Sequence, residues 1–196
     1  MKILLLGFAR RVGKDTFAEC LQRIYPDSVL AYAFADQLKD DLNPLALNMF
    51  GKNISELSDE EKEIFRPILI SYGCAWREIN PEHWVEVVAE KMFTDEADPY
   101  PKHIIRLYIT KDCRFRNEAE YFKDYNGKNC GIEVKVIHID RIGAPEPTDE
   151  EKKNLPECVK LADYHFTWPT LETDDERDAK VREFLRETGL DKWIES

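Results

Sequence analysis

The opening of the chain limits its fold more than any other stretch. An apolar run, MKILLL, leads into Gly7, and GFARRVGKDTFAECL follows it. A buried strand that hands a glycine-rich turn to a helix start aims several backbone N–H groups at one point, and the helix dipole adds positive potential there. Phosphate is the natural occupant. The usual spacing is G-x-x-x-x-G-K-[ST], with the lysine reaching the outer phosphates and the hydroxyl near a metal ion. Here five residues rather than four separate Gly7 from Gly13 and Lys14, so either the loop carries one extra residue or Phe8 takes the first glycine's place. Asp15 follows Lys14, and Thr16 comes next. The plainer alternative is a tight strand-to-helix turn with Lys14 in solvent.

Beyond the loop, short apolar runs alternate with longer helical patterns, which predicts an α/β fold with a mostly parallel sheet. The length of 196 residues suits one domain. KILLLG reads as a buried strand, and Phe17, Ala18, Leu21 and Ile24 share one face of the helix that Pro26 stops. SVLAYAFAD reads as a second strand ending near Asp36. From about residue 37 to 93 the pattern is helical, with Ser58 and Glu61 as a capping box and Asn80-Pro81 as an N-cap followed by proline in the first turn. HIIRLYIT and IEVKVIHI are two further strands, separated by a helix over RNEAEYFKDY that Gly127 ends. Thr148 with Glu151 and Thr173 with Glu176 read as capping boxes, and YHFTW as one more strand.

Composition narrows the partners. The net charge is −11, from 39 acidic and 28 basic residues, which counts against a duplex nucleic acid as partner and leaves a local basic pocket for small anions. The five cysteines are scattered without a C-x-x-C pair, as expected of reduced thiols in a cytosolic compartment. His83, His103, His138 and His165 show no metal-ligand spacing. No apolar run approaches the roughly 20 residues a membrane span needs. A soluble, cytoplasmic protein is expected.

Four separated segments together resemble the bacteriophage-type deoxynucleoside monophosphate kinases: GKDT at 13–16, FADQLK at 34–39, REINPEHWV at 77–85 and DCRFRNEAE at 112–120. GKDT also keeps the Lys-x-Thr spacing of the G-K-G-T found in nucleoside monophosphate kinases. The resemblance implies a P-loop NTPase fold, three-layer αβα, with a helical substrate-binding region over about 37–93 and a lid over about 141–158. It further implies transfer of the γ-phosphate of ATP, with Mg²⁺, to a deoxynucleoside 5′-monophosphate, in the host cytoplasm if the chain is phage-encoded. P-loop kinases of this kind are frequently homodimers. The sequence departs from the pattern in its longer loop, in Arg116 where proline is common, and in YHFTWPT where a strand ending in asparagine is usual.

Phosphoryl transfer asks a protein for alignment, exclusion of water and neutralisation of charge. On this reading Arg11, Val12, Gly13, Lys14, Asp15 and Thr16 bind ATP, and Thr16 and Asp112 hold Mg²⁺, the latter from a strand's C-terminal end. Arg77 is the first candidate for the acceptor phosphate and Arg114 the second, because a guanidinium fork binds two oxygens at once. A surface salt bridge is the alternative for each. Arg141 is placed to serve the transferring phosphate from a lid, or else is a solvated loop residue. Asp15 and Asp36 would orient the metal's waters or the acceptor, and Lys39 joins the substrate residues. Trp84 either stacks on a base or packs in a core stripe with Val87 and Val88. Asn117 and Glu118 either contact the sugar or cap a helix and fix the Arg114 loop. Arg10 and Arg11 either contact phosphates or a nucleotide base, or face solvent.

Two rival functions remain open from the residues alone. One is a P-loop kinase acting on a hydroxymethylated pyrimidine or another small alcohol, such as dephospho-coenzyme A or phosphomevalonate, with Asp15 or Asp36 as general base. The other is a nucleotide-binding protein without turnover.

Overall fold

The computed structural model of the chain describes residues 1–96, 107–125, 131–147 and 149–196. The elements run β1 (Lys2–Phe8), α1 (Lys14–Ile24), β2 (Val29–Tyr32), α2 (Phe34–Phe50), a 3-10 turn (Ile54–Glu56), α3 (Asp59–Ile79), α4 (His83–Glu96), β3 (Leu107–Cys113), α5 (Arg116–Lys123), β4 (Glu133–Arg141), α6 (Asp149–Val159), β5 (Tyr164–Trp168), α7 (Asp174–Thr188) and α8 (Leu190–Glu195). The strands form one sheet in the order β2-β3-β1-β4-β5, and every pairing is parallel. The chain divides into two compact units. One comprises Met1–Ala33 with Lys91–Ser196, and the other Phe34–Glu90.

The first unit is a three-layer αβα arrangement. Side chains alternate across a strand, so Leu4 and Leu6 of β1, Leu107 and Ile109 of β3 and Ile137 and Ile139 of β4 join Phe17, Leu21, Val181 and Phe184 of α1 and α7 in one core. Ile3, Leu5, Val134 and Val136 are buried on the opposite face, against which α5 and α6 pack. Burial on both faces is why β1 and the start of β3 read as continuous apolar runs. The fold is the expected P-loop type: an open parallel sheet whose central strand, β1, delivers its loop to α1.

The chain leaves β1 toward β2 on one side and leaves β4 toward β5 on the other. This places a topological switch beside β1, where open α/β sheets bind ligands outside the strands' C-terminal ends. One irregularity lies there. Leu5 pairs with Thr110, but Gly7 pairs with Cys113, so β3 carries an extra residue across Lys111 and Asp112. A bulge of this kind re-aims the side chains it contains.

The second unit is helical and packs Leu42, Ala46, Ile54, Leu57 and Phe65 together. Its expected capping box is present: Glu61 N–H donates to Ser58 Oγ (3.3 Å) and Ser58 N–H to Glu61 Oε2 (2.7 Å). The second box pairs Thr173 with Glu176 in the same way. Two boundaries differ from expectation. The second strand stops at Tyr32, and Phe34–Asp36 already belong to α2, so Asp36 sits in a helix's first turn and not at a strand end. Asn80 is the C-cap of α3; its Oδ1 accepts the Glu82 N–H (3.0 Å), and α4 begins at His83. Thr148 and Gly127 lie outside the described residues, as does the start of HIIRLYIT, and the side chain of Glu151 is not described.

Candidate active site

The loop between β1 and α1 is shaped by two left-handed residues. Gly13 has φ +85°, and Arg11 has φ +56°. Gly13 is required twice over. A left-handed φ suits glycine, and a Cβ there would come within 2.7 Å of Trp168 Nε1 and 2.8 Å of its Cδ1. The indole of Trp168, at the end of β5, donates to Gly13 O (3.1 Å), which also accepts the Phe17 N–H (3.0 Å).

Lys14 opens α1 with only 6% of its surface exposed, and its ammonium donates to the Ala9 carbonyl across the loop. Burial, and next the guanidinium of Arg114, lower its pKa from 10.5 to about 8, while Asp112 and Asp15 pull it back upward. A buried cation hydrogen-bonded to a neutral carbonyl is costly to hold, and an anion bound at the loop would offset that cost. The field of Arg114 on Lys14 shows that the two cations share one neighbourhood, and the carboxylates of Asp112 and Asp15 share it with them.

Around that centre, Asp15 is exposed in the first turn of α1, where the helix dipole favours a carboxylate, and Lys111 Nζ stands 3.6 Å from its Oδ1. Sequence reasoning did not single out Lys111. It and Asp112 lie in the bulge of β3, which no local pattern announces and which re-aims the side chains it contains. Thr16 is half-buried in the same helical turn, and Asp112 is half-buried beside the end of β3. Arg114 lies just past β3 with its side chain exposed. Arg141 is exposed at the end of β4, and α6 follows it. Val12 is buried in the core, so it offers the loop its backbone only.

Glu118 corrects the idea of a sugar contact. It is 3% exposed, and its Oε2 accepts the backbone N–H groups of Arg114 (2.7 Å) and Phe115 (3.0 Å). A carboxylate occupied this way caps α5 and fixes the Arg114 loop, the alternative the sequence had offered. Asn117 stands half-buried in the first turn of the same helix. Arg116 is its first residue, a position that suits proline because its N–H has no partner within the helix.

The remaining sequence-derived residues belong to the helical unit. Asp36 and Lys39 pair at 3.4 Å, one turn apart on α2. Arg77 lies in the last turn of α3, half-buried, with Nη1 3.6 Å from where a Cβ on Gly73 would stand. Trp84 is 2% exposed, and its indole donates to the Gly73 carbonyl (3.2 Å), so the core-packing alternative holds and base stacking does not.

Among the described residues, no cluster of three or more His, Cys, Asp or Glu is arranged to hold a metal, and Cys20, Cys74, Cys113 and Cys158 are free. Mg²⁺ needs no such cluster, because it is commonly held by one or two protein oxygens together with substrate phosphates and water. No described helix is long and apolar enough to cross a membrane.

No protein-family model matches the chain, and no curated protein matches it. Among solved structures it is similar to dephospho-CoA kinase from Campylobacter jejuni (14% identity, 95% of this chain and 97% of that one, TM-score 0.49). It is also similar to shikimate kinase from Bacteroides thetaiotaomicron (15% identity, 96% and 98%, TM-score 0.46). A gluconokinase from Sinorhizobium meliloti is a third such structure (9% identity, 100% and 97%, TM-score 0.44). At this distance the likeness carries nothing about the acceptor. The fold assignment rests on this chain's own sheet order and phosphate loop.

Proposed function

We propose that the chain transfers the γ-phosphate of ATP to a deoxynucleoside 5′-monophosphate. The observation that carries the phosphoryl-transfer part is the buried Lys14 ammonium, held inside a turn made by left-handed Arg11 and Gly13 at the start of α1. The four family-like segments support the choice of acceptor. The kinases named above act on acceptors of different kinds, and none of them selects one for this chain.

The residues fit the roles as follows. The backbone N–H groups of Arg11 to Gly13 and the ammonium of Lys14 hold the outer phosphates of ATP, and Asp15 and Thr16 complete the cradle at the first turn of α1. Thr16 and Asp112 would hold Mg²⁺. When bound, that ion neutralises charge on the phosphoryl oxygens. Arg114 adds a second cation, and Glu118 holds its backbone in place. Arg77 is proposed for the acceptor's phosphate, with Asp36, Lys39 and Asn117 as further substrate residues and Arg141 as a lid arginine. No general base is needed when the acceptor is already an anionic phosphate oxygen. An alcohol acceptor would need one, and Asp15 and Asp36 are the carboxylates placed for it, each within 4 Å of a lysine.

The test is ADP release measured with ATP and Mg²⁺ across the four deoxynucleoside monophosphates, their ribose counterparts and a panel of small alcohols. Turnover is expected with at least one deoxynucleoside monophosphate, and Lys14→Ala is expected to abolish it. Turnover with an alcohol alone would move the assignment to the rival kinase class. Binding of ATP without any acceptor consumed would leave a nucleotide-binding protein.

A further inference from the structure

Trp168 has no part in the mechanism so far, yet it touches the phosphate loop at its most constrained point. It is 4% exposed, and its ring meets Phe166 edge-on at 4.8 Å and Phe17 at 6.2 Å, so the indole has a fixed orientation. Its N–H donates to Gly13 O (3.1 Å), and its ring fills the space a Cβ on Gly13 would occupy.

Resting on the phosphate-binding reading of the loop, we propose that Trp168 is a positioning residue that sets the anion-binding geometry of the loop through the Gly13–Lys14 peptide. A trans peptide is planar, with its C=O and N–H on opposite sides. Two donors, the indole and the Phe17 N–H, hold the Gly13 carbonyl. The Lys14 N–H must therefore point away from the indole, which is the orientation a phosphate-binding amide at a helix start requires. Without the indole, only the helical bond from Phe17 holds that plane, and the left-handed Gly13, which samples many conformations freely, loses the neighbour that restricts it. Ring and hydrogen bond act together, and both come from a strand 155 residues further along the chain.

A role through the loop differs from base stacking and from mere packing. If Trp168 sets the loop, its loss weakens any ligand with a phosphate chain, whether or not a base is attached. Stacking would make ATP sensitive and inorganic tripolyphosphate insensitive. Packing alone would lower thermal stability and leave affinity in the folded protein unchanged.

The experiment compares wild type with Trp168→Phe, and with a protein carrying benzothienylalanine at 168, which keeps the bicyclic shape and replaces the ring N–H with sulfur. Melting temperature, Kd for Mg-ATP and for tripolyphosphate, and KM for the acceptor are measured on each. The expected result is a roughly five- to tenfold rise in Kd for both ligands in both variants, the size of one net hydrogen bond, with acceptor KM unchanged. Equal Kd values in the benzothienylalanine protein and wild type overturn the proposal, as does weakening confined to ATP. Wild type that binds neither ligand defeats the phosphate-loop reading itself, which separates that failure from this one.

Discussion

If Lys14 is the cation that meets the phosphates, nucleotide affinity must fall as its amine loses its proton, and it loses it unusually early. Burial and the Arg114 guanidinium lower its pKa to about 8 in the free protein. Above pH 7.5 the ligand's own phosphates are fully ionised, since the second pKa of a phosphate is about 6, so they add no slope. About three-quarters of the Lys14 amines are charged at pH 7.5 and about 3% at pH 9.5. If only the ammonium form binds, Kd for Mg-ATP without acceptor rises roughly 25-fold between those values. Two nearby titrating groups stay out of the window: burial pushes the Cys113 thiol well above its ordinary value, and burial together with His165 lowers the His138 pKa below its usual 6.5. The assay is isothermal titration across the range in buffers of different ionisation enthalpy, which also reads about half a proton taken up per nucleotide bound near pH 8. An affinity that stays flat to pH 9.5, with no proton uptake, would refute the reasoning.

The same group links function to stability. In the unfolded chain the amine has its ordinary value of 10.5, so between about pH 8 and 10.5 the unfolded state binds more protons and stability rises with pH. Below pH 8 the gap, at 1.36 kcal/mol per pH unit, opposes folding by about 3 kcal/mol. Lys14→Met is therefore expected to raise the melting temperature at pH 7 while removing nucleotide binding, with the orphaned Ala9 carbonyl offsetting part of the gain; differential scanning calorimetry checks it. Arg114→Met removes the second cause of the lowered pKa, so the midpoint of the Kd profile above is expected to move to higher pH. Gly13→Ala places a methyl against the Trp168 indole at a left-handed φ, a strain of about 1–3 kcal/mol, and should weaken tripolyphosphate binding in direct titration. Glu118→Ala strands two backbone N–H groups and is expected to destabilise the protein by about 1–3 kcal/mol in urea denaturation. Ser58→Ala removes a cap of the helical unit, with an expected loss of about 1 kcal/mol in the same assay and no change in Kd for ATP.

The parts of this molecule that were legible in its sequence are those decided by neighbours along the chain. Strand periodicity is local, so IEVKVIHI, and YHFTW with buried Phe166 and Trp168 alternating with exposed His165 and Thr167, could be located without knowing what covers them. Capping boxes join residues three apart, so Ser58 with Glu61 and Thr173 with Glu176 were equally visible. The end of β2 was not. AYAFAD stays apolar enough for a strand while the backbone turns helical at Phe34, and nothing in hydrophobicity separates the two. Asn80-Pro81 has the pattern of a helix start, and the Asn80 side chain does cap the turn that follows. Its backbone meanwhile closes α3, and one residue performing both tasks defeats a reading that assigns it one.

The site divides along the same line. Gly13, Lys14 and Thr16 are contiguous or nearly so, and their spacing alone pointed to phosphate. Asp15 stands where the usual motif has serine or threonine, and it puts a negative charge beside a negative ligand. The fold changes its meaning: Lys111, in the bulge of β3, stands beside Asp15, and Asp112, next to it in the chain, acts on Lys14. A carboxylate paired with a lysine repels a triphosphate less than a bare one does. The pair is exposed enough that its own contribution to stability is small. What it alters is the local field, and that field comes from a lysine far along the chain from Asp15. An odd residue in a local motif is therefore weak evidence against function until its distant neighbours are known, and here those neighbours balance it.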